Sequence, residues 1–193
     1  MTTVAAEMTT GFDHAIELVL DENERLLSAL NPTEWERAGS LIGSARTVFV
    51  IGNGRSGLAV QMAAMRLMHL GLTVHVAGAV TAPAVGAGDL VIAVSGSGTT
   101  SSVVAAVDTA KKVGASVLAV TTAAHSPLSE RADKALILQA ADKQYHGNEI
   151  TRQYAGSLFE QSVLLAFDAL FQSLWSAQGQ SAELLWTRHA NIG

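Results

Sequence analysis

The sequence predicts an α/β protein in which helices alternate with the strands of a parallel sheet. Short apolar runs rich in β-branched residues are separated by stretches with helical periodicity, and this alternation is typical of right-handed crossovers between parallel strands. Two glycine-rich turns lie where a strand leads directly into a helix. The 193 residues are 49% hydrophobic, which is enough for one domain with a substantial core and too little for two.

Composition excludes several classes of partner and chemistry. The formal net charge of −5 argues against a nucleic-acid partner, which would favour a basic surface. No window approaches the roughly 20 apolar residues of a membrane-spanning helix, and the N-terminus lacks the basic start and apolar core of a signal peptide. The chain has no cysteine, which excludes disulfides, thiolate catalysis and cysteine-based metal sites. We therefore expect a soluble, cytoplasmic protein.

Two helices are expected before the first strand, as an N-terminal helical segment over residues 9–43. In residues 9–30 apolar side chains recur at helical spacing, and the acidic residues, Glu22 among them, lie mostly off that stripe, which predicts an amphipathic helix. The Asn31-Pro32 pair ends it and opens a second helix, since proline suits a first helical turn. The first helix either covers the core or packs against another subunit.

Five strands and the helices between them follow in order. Strands are predicted at residues 47–51, 71–76, 90–94, 115–121 and 134–138. Helices are predicted from the first glycine turn to residue 70, over residues 101–112, and for one turn within residues 125–131. In a parallel sheet, ligands bind at the carboxyl ends of the strands. Because both glycine turns follow strands at that edge, they are expected to face one pocket.

The C-terminal part begins with a polar stretch, residues 139–156. A loop of this length without structure of its own is usually functional or disordered. A strong helix is predicted over residues 157–177, and a short helix over residues 181–188 lies within the tail formed by residues 181–193.

The turn at residues 95–100 has the composition of a phosphate cradle. It consists of Ser95, Gly96, Ser97, Gly98, Thr99 and Thr100. The glycines allow a ligand to approach the backbone closely, and the unpaired amides at the start of the following helix favour an anion. Up to four hydroxyls can add hydrogen bonds, so the turn suits a phosphate monoester without a lysine. The alternative is a helix capped by serine or threonine after a flexible loop.

The turn at residues 52–57 has the Gly-x-Gly-x-x-Gly spacing of a dinucleotide site, which is a weak signal alone. That fingerprint needs an acidic residue about 20 positions further on. No aspartate or glutamate lies between Glu36 and Asp89, which argues strongly against NAD. The remaining interpretation is a second anion- or hydroxyl-binding turn at Gly54, with Arg55 and Ser56 as side-chain donors, or else a purely structural tight turn.

Glu160 is the candidate general base. On a helix it shares a face with apolar residues, near the helix start and just after the polar loop. A partly desolvated carboxylate at such a place suits proton abstraction. The alternative is equally simple, because Ser157-x-x-Glu160 is also a capping box in which the carboxylate folds back onto a backbone amide.

Histidines give weaker signals. His69 shares a predicted helix face with Met62, Met65 and Arg66, and alone it suits packing or an interface better than catalysis. His189 lies in the C-terminal tail, where it belongs either to a frayed end or to a polar cluster that folds over a phosphate or sugar, in its own or a neighbouring subunit. No pair of the six histidines has metal-ligand spacing, and no metal is expected.

Taken together, these motifs resemble the sugar isomerase (SIS) domain family. The Ser-x-Ser-Gly-x-Thr run at residues 95–100 is similar to the phosphosugar signature of that family. The segments at residues 52–57, 64–71, 81–89, 157–160 and 188–191 resemble its 6-phospho-3-hexuloisomerase branch more narrowly. The resemblance covers the chain from about residue 10. It implies a single three-layer αβα domain over residues 1–193, with a five-stranded parallel sheet, and a homotetramer.

The resemblance also implies an activity and a set of site residues. The substrate would be D-arabino-3-hexulose 6-phosphate and the product D-fructose 6-phosphate, interconverted through a cis-enediol without a cofactor, in the ribulose monophosphate pathway of formaldehyde fixation. The phosphate would bind at residues 95–100, with Ser56 touching the substrate and Glu160 accepting the proton. His69 and His189 are further catalytic candidates, and 3-hexulose-6-phosphate synthase is the expected functional partner.

Two departures and two alternatives accompany this resemblance. The family usually has glutamate at the position of Thr99, and proline followed by methionine or leucine at the positions of Tyr154 and Ala155.

Another phosphosugar isomerase, such as one for arabinose 5-phosphate, would keep the cradle and change the sugar end of the pocket. A non-catalytic sugar-phosphate sensor would usually need an output module, for which a chain filled by one domain leaves no room.

Overall fold

The computed structural model describes residues 2–141, 147 and 150–192, with the backbone alone for residues 2–10. Its strands form one five-stranded sheet in the order β2-β1-β3-β4-β5, with every neighbouring pair parallel. The strands are β1 (Val48–Gly52), β2 (Val74–Val76), β3 (Leu90–Val94), β4 (Ser116–Thr121) and β5 (Lys134–Ile137). The predicted α/β class and parallel sheet are therefore confirmed.

Helices cover both faces of the sheet. They are α1 (Thr2–Ser28), α2 (Pro32–Ser44), α3 (Gly54–His69), α4 (Ser101–Lys112), α5 (Pro127–Arg131), α6 (Ser157–Gln178) and α7 (Ala182–Trp186). Alternate residues of a strand point to opposite faces, so Val50 and Ile92 pack with α3 and α6 while Phe49 and Val91 pack with α4 and α5. The result is the predicted three-layer arrangement.

Most element boundaries agree with the sequence prediction to within one or two residues, and the exceptions have physical reasons. The strand predicted over residues 71–76 forms only at Val74–Val76, because Gly71, with a φ of +95°, belongs to the turn that follows α3. The first helix begins at Thr2 rather than near residue 9. The tail helix is shorter than predicted and ends at Trp186. Part of the predicted polar loop, residues 142–146, 148 and 149, lies outside the described residues.

The N-terminal helix departs from its predicted amphipathic pattern. Leu26 and Asn23 are buried as expected, but Phe12, on the same predicted stripe, is 67% exposed. Glu22, expected to lie off the buried stripe, is only 4% exposed. The sequence pattern is wrong at Glu22 because its carboxylate receives hydrogen bonds from a loop 129 residues further along the chain.

Among the residues that the structure describes, none of the helices combines the length and apolar character needed to cross a membrane.

Candidate active site

The two glycine turns meet at the carboxyl edge of the sheet. The chain leaves β1 for β2 on one side and later enters β3 on the other side of β1, which makes the crevice between β1 and β3 the switch point where such sheets bind ligands. A cavity of about 210 Å³ opens there. Its lining comes from the turn after β1, the turn after β3 and the start of α6. The prediction that both turns face one pocket is confirmed.

Hydroxyl groups of the turn at residues 95–100 bond to one another across the turn. The side-chain oxygens of Ser95 and Thr100 are 2.8 Å apart, and those of Ser97 and Thr99 are 2.9 Å apart. Thr100 is the N-cap of α4, yet among the described residues its side chain accepts no capping hydrogen bond. The simple capping interpretation of this turn is therefore wrong. The cavity lining includes Ser95, Gly96, Ser97 and Thr100.

Residues at the end of β4 and just after it hold this turn in place. The carbonyl of Gly96 accepts hydrogen bonds from the Thr121 hydroxyl at 2.9 Å, the Thr122 hydroxyl at 2.9 Å and the Thr122 amide at 3.0 Å. Gly98 adopts a φ of +64°, and a Cβ atom there would lie 2.1 Å from the Ser126 hydroxyl oxygen. Sequence reasoning missed Thr121, Thr122 and Ser126, although two threonines at the end of a neighbouring strand were a visible signal for the first two.

The turn after β1 requires glycine for close packing as well as for its dihedral angles. A Cβ atom on Gly57 would lie 2.5 Å from the carbonyl oxygen of Gly52, and Gly54 has a φ of +57°. Asn53 joins this turn to the first turn of α4, since its side-chain amide donates to the Ser102 hydroxyl at 2.8 Å. Ser56 lies in the cavity lining, in the first turn of α3.

Glu160 faces this cavity and pairs with Arg55. The Arg55 Nε group donates to Oε2 of Glu160, and the Glu160 side chain is 18% exposed. The helix begins one residue earlier than a capping box requires, with Gly156 as N-cap and Ser157 inside the first turn. The capping-box interpretation is therefore wrong, and the carboxylate is directed at the turn after β1.

His69 and His189 come together at a different place. Their rings stack with centroids 3.9 Å apart, and Trp186 packs on His189 at 4.5 Å. His69 is buried, and burial, followed by the nearby His189 and Arg66, lowers the pKa of its imidazole below the ordinary value. The two histidines line a second cavity of about 440 Å³.

The length of α3 separates the histidines from Glu160 within one chain. Ser56 lies in the first turn of α3 and His69 at its last residue, a distance of about 20 Å along a helix that rises 1.5 Å per residue. The tail is fixed at that far end, because the Arg188 guanidinium donates to the His69 carbonyl at 2.8 Å. The structure thus brings the two glycine turns and Glu160 together, and it places both histidines elsewhere in the same chain.

The family assignment comes from the match between the chain and known proteins. A family model described as "SIS domain" matches residues 41–166. The chain belongs to the SIS domain family. The matched range of the SIS domain runs from the end of α2 into α6 and includes both glycine turns and Glu160, whereas α1, most of α2 and the tail lie outside it.

Relatives of this SIS domain include proteins that carry the name 3-hexulose-6-phosphate isomerase. The one from Mycobacterium gastri is 52% identical over 177 residues, which span 92% of this chain and 89% of the relative. The one from Bacillus subtilis is 36% identical, over 90% of this chain and 95% of the relative.

Solved structures have the same SIS fold. A crystal structure of a hypothetical protein superimposes with a TM-score of 0.87 and 34% identity, covering 95% of this chain and 98% of the other. The crystal structure of a hypothetical protein from Methanococcus jannaschii superimposes with a TM-score of 0.79 and 25% identity, covering 93% of this chain and 99% of the other. The function inferred for that protein from its structure is 3-hexulose-6-phosphate isomerase.

Proposed function

We propose that this SIS domain protein is a 3-hexulose-6-phosphate isomerase, which interconverts D-arabino-3-hexulose 6-phosphate and D-fructose 6-phosphate. The observation that carries the proposal is that Glu160 faces the same small cavity as the hydroxyl-rich turn at residues 95–100. A phosphate anchor and a carboxylate base that line one cavity suit the isomerisation of a sugar phosphate. Relatives of that name support this choice of substrate over other phosphosugars.

The proposed reaction begins with the phosphate held at residues 95–100 by backbone amides and hydroxyls. Anchoring this remote group orients the reacting carbons without touching them. Glu160 removes the proton from C2, a cis-enediol forms across C2 and C3, and the proton returns at C3. Ser56 and Arg55, both in the first turn of α3, donate hydrogen bonds to the substrate. Donors that face the developing enediolate lower the barrier to proton removal.

The histidines suggest that the site is completed by a second copy of the chain. Helix α3 carries Leu58, Met62 and Met65 at helical spacing, and these side chains are 63%, 53% and 59% exposed. We propose that two copies of α3 pack antiparallel on this stripe, with the two-fold axis near Met62. The end of α3 in one copy, with His69 and His189, would then lie beside the Arg55 end of the other. His189, which is exposed, is the candidate for moving the hydroxyl proton.

The proposed assembly is a homotetramer. A second apolar stripe on α1 consists of Phe12, Ile16 and Leu20, which are 67%, 41% and 62% exposed. Two different isologous contacts, one on α3 and one on α1, would build a closed tetramer from dimers. This assembly also gives the first helix the subunit-packing role that its sequence left open.

The proposed biological setting follows from the substrate. A 3-hexulose-6-phosphate synthase, which joins formaldehyde to ribulose 5-phosphate, would supply the substrate, and the isomerase would release fructose 6-phosphate to central metabolism. We place both steps in the cytoplasm, in keeping with the acidic composition and the absence of cysteine.

A coupled assay tests the activity directly. Ribulose 5-phosphate, formaldehyde and a hexulose-phosphate synthase generate the substrate, and fructose 6-phosphate is measured with and without this protein. Formation that depends on the protein supports the proposal. No formation, with folded protein and confirmed substrate, would reject this substrate and direct a screen to pentose and other hexose phosphates.

The Glu160→Gln variant separates an enzyme from a sensor. We expect it to lose turnover and to retain phosphosugar binding, measured by calorimetry with fructose 6-phosphate. Full activity in this variant would mean that the base lies elsewhere.

A further inference from the structure

The carboxylate of Glu22 is the buried centre of a contact between α1 and the loop that precedes α6. Its Oε2 atom accepts hydrogen bonds from the Thr151 hydroxyl at 2.5 Å and from the Gln153 side-chain amide at 3.1 Å. Its Oε1 atom accepts from the backbone amide of Arg152 at 2.8 Å. Three consecutive loop residues are therefore fixed by one side chain of the N-terminal helix.

The contact continues from the loop into α6. The Gln153 side-chain oxygen accepts from the Gln161 amide at 2.9 Å, and the Gln161 oxygen accepts from the Asn23 amide at 2.7 Å. Gln161 directly follows Glu160 in the first turns of α6. Glu22 and Asn23 thus hold both the loop and the helical turn that carries the candidate base.

The backbone between these anchors is strained. Ala155 has a φ of +50° and lies between Gln153 and Gly156, the N-cap of α6. A non-glycine residue in the left-handed region costs energy and persists only where its surroundings enforce it. The hydrogen bonds of Glu22 and Thr151 lie on the N-terminal side of Ala155 and are suited to hold it in this left-handed conformation.

The charge of Glu22 is compensated locally. Burial raises the pKa of the Glu22 carboxyl. Hydrogen bonds from Arg152, Thr151 and Gln153, together with the nearby Arg25, have the larger combined effect and hold this pKa below its ordinary value. The Arg25 guanidinium also donates to the Ile150 carbonyl at 3.3 Å. Because a buried charge is costly unless it is hydrogen-bonded, a carboxylate with this many donors fixes the position of the loop that supplies them.

We propose that Glu22 is a positioning residue for Glu160, and that it acts through the loop at residues 151–156 without touching the substrate. The proposal rests on the isomerase function proposed above. It assigns a role in the active site to a residue of α1 that lies outside the SIS match at residues 41–166. A purely structural Glu22 would instead hold α1 on the domain and leave turnover per folded molecule unchanged.

The test compares Glu22→Ala and Glu22→Gln with Glu24→Ala, which removes an exposed carboxylate from the same helix. We expect Glu22→Ala to lower kcat at least about tenfold per folded molecule while KM changes less than about twofold, because small displacements of a catalytic group cost much of its rate. Glu22→Gln, which keeps an acceptor for the Arg152 amide, should recover part of kcat. Glu24→Ala should match the wild-type protein.

Hydrogen exchange gives a readout that does not depend on activity. The Arg152 amide, protected by Glu22, should exchange faster in Glu22→Ala, while peptides from β3 and β4 should exchange at the wild-type rate. If Glu22→Ala does not fold, Thr151→Val removes one donor to Glu22 with little change of shape and should lower kcat with an unchanged KM.

Three outcomes would overturn the proposal or its basis. Wild-type kcat in Glu22→Ala with accelerated exchange of the loop would show that the loop is held by Glu22 but does not position the base. Unchanged exchange at Arg152 would show that Glu22 does not hold the loop. No turnover by the wild-type protein in the same assay would instead reject the isomerase function, and with it the catalytic part of this proposal.

Discussion

Arg55, in the first turn of α3, donates a hydrogen bond to Glu160, in the first turn of α6, and so joins the turn after β1 to the candidate base. The Arg55 side chain is 64% exposed, whereas that of Glu160 is 18% exposed. The guanidinium is thus the accessible member of the pair. A guanidinium carries five N–H donors. The N–H groups of Arg55 that do not bond to Glu160 can therefore donate hydrogen bonds to an anionic substrate.

Replacing Arg55 should weaken substrate binding. We expect Arg55→Met to raise KM about tenfold, since a charge-assisted hydrogen bond to the substrate is lost. Arg55→Lys should have an intermediate KM, because lysine keeps the charge without the planar guanidinium. Steady-state kinetics in the coupled assay measure both. Arg37→Met, at an exposed position of α2, is the control and should leave KM unchanged. An Arg55→Met variant with the wild-type KM would exclude Arg55 from substrate binding.

Gly98 should tolerate no side chain. A Cβ atom there would lie 2.6 Å from Cβ of Ser126 as well as too close to its hydroxyl, and φ is +64°. We expect Gly98→Ala to lose about 2 kcal/mol or more of unfolding free energy through strain and overpacking, and to lose phosphosugar binding as the turn shifts. Urea unfolding and calorimetry measure the two effects.

Gly179→Ala is the matched control for this substitution. Gly179 has a φ of +62°, but the space around its Cβ position is open. It should therefore show only the dihedral cost of about 1 kcal/mol and bind phosphosugars normally. Equal losses in the two alanine variants would mean that the contact with Ser126 is unimportant.

The proposed pairing of α3 helices predicts complementation between inactive variants. Glu160→Gln and His189→Ala homo-oligomers should each be nearly inactive. After mixing under conditions that exchange subunits, about a quarter of the wild-type specific activity should return, because a hybrid pair contains one site with both groups intact. Native mass spectrometry establishes that hybrids form. Hybrids without regained activity would place His189 and Glu160 in separate functions.

Asp89 should make stability depend on pH. It is 2% exposed, and hydrogen bonds from Arg46, aided by the Gly86 amide, lower the pKa of its carboxyl despite burial. A carboxyl with a lowered folded-state pKa stabilises the protein above its unfolded pKa, about 3.9 for aspartate, and loses this contribution as the pH falls.

Asp89→Asn tests that contribution. We expect it to cost about 2 kcal/mol at pH 7, because it removes the ionised partner of a charge-assisted contact. The difference in Tm from the wild-type protein should shrink as the pH is lowered through the carboxyl range. Calorimetric scans at pH 7 and in acid measure it. If the Tm difference between the variant and the wild-type protein increased in acid, the ionised form of Asp89 would not be the one that stabilises the fold.

Sequence patterns predicted the sheet well because its determinants are local. Each strand is a short apolar run, and each glycine turn combines residue types that are suited to one backbone geometry. The joint placement of the two glycine turns also followed, since the carboxyl ends of neighbouring parallel strands share an edge, whereas the placement of Glu160 beside them was implied only by the family resemblance. The length of α3 alone could have separated His69 from the glycine turn after β1, whereas the position of His189 depends on the contacts of the tail with the end of α3.

The role of Glu22 could not be predicted from local patterns. A carboxylate on an amphipathic helix is normally expected to face solvent, and the partners that bury it lie in a polar loop far along the chain. Sequence periodicity contains no information about that contact. The same holds for Ser126, because its closeness to Gly98 depends on how the segments that follow β3 and β4 are placed.

The anchoring of the α6 loop by α1 has a consequence for how the protein loses activity. The sheet is covered on both faces, whereas α1 exposes Phe12, Ile16 and Leu20 and contributes Leu26 and Leu27 to the core near its C-terminal end. Partial unfolding confined to α1 would release the loop while every strand remained paired. Inactivation by urea would then precede the loss of β-structure, and tetramer formation on α1 would protect activity before it protected the fold.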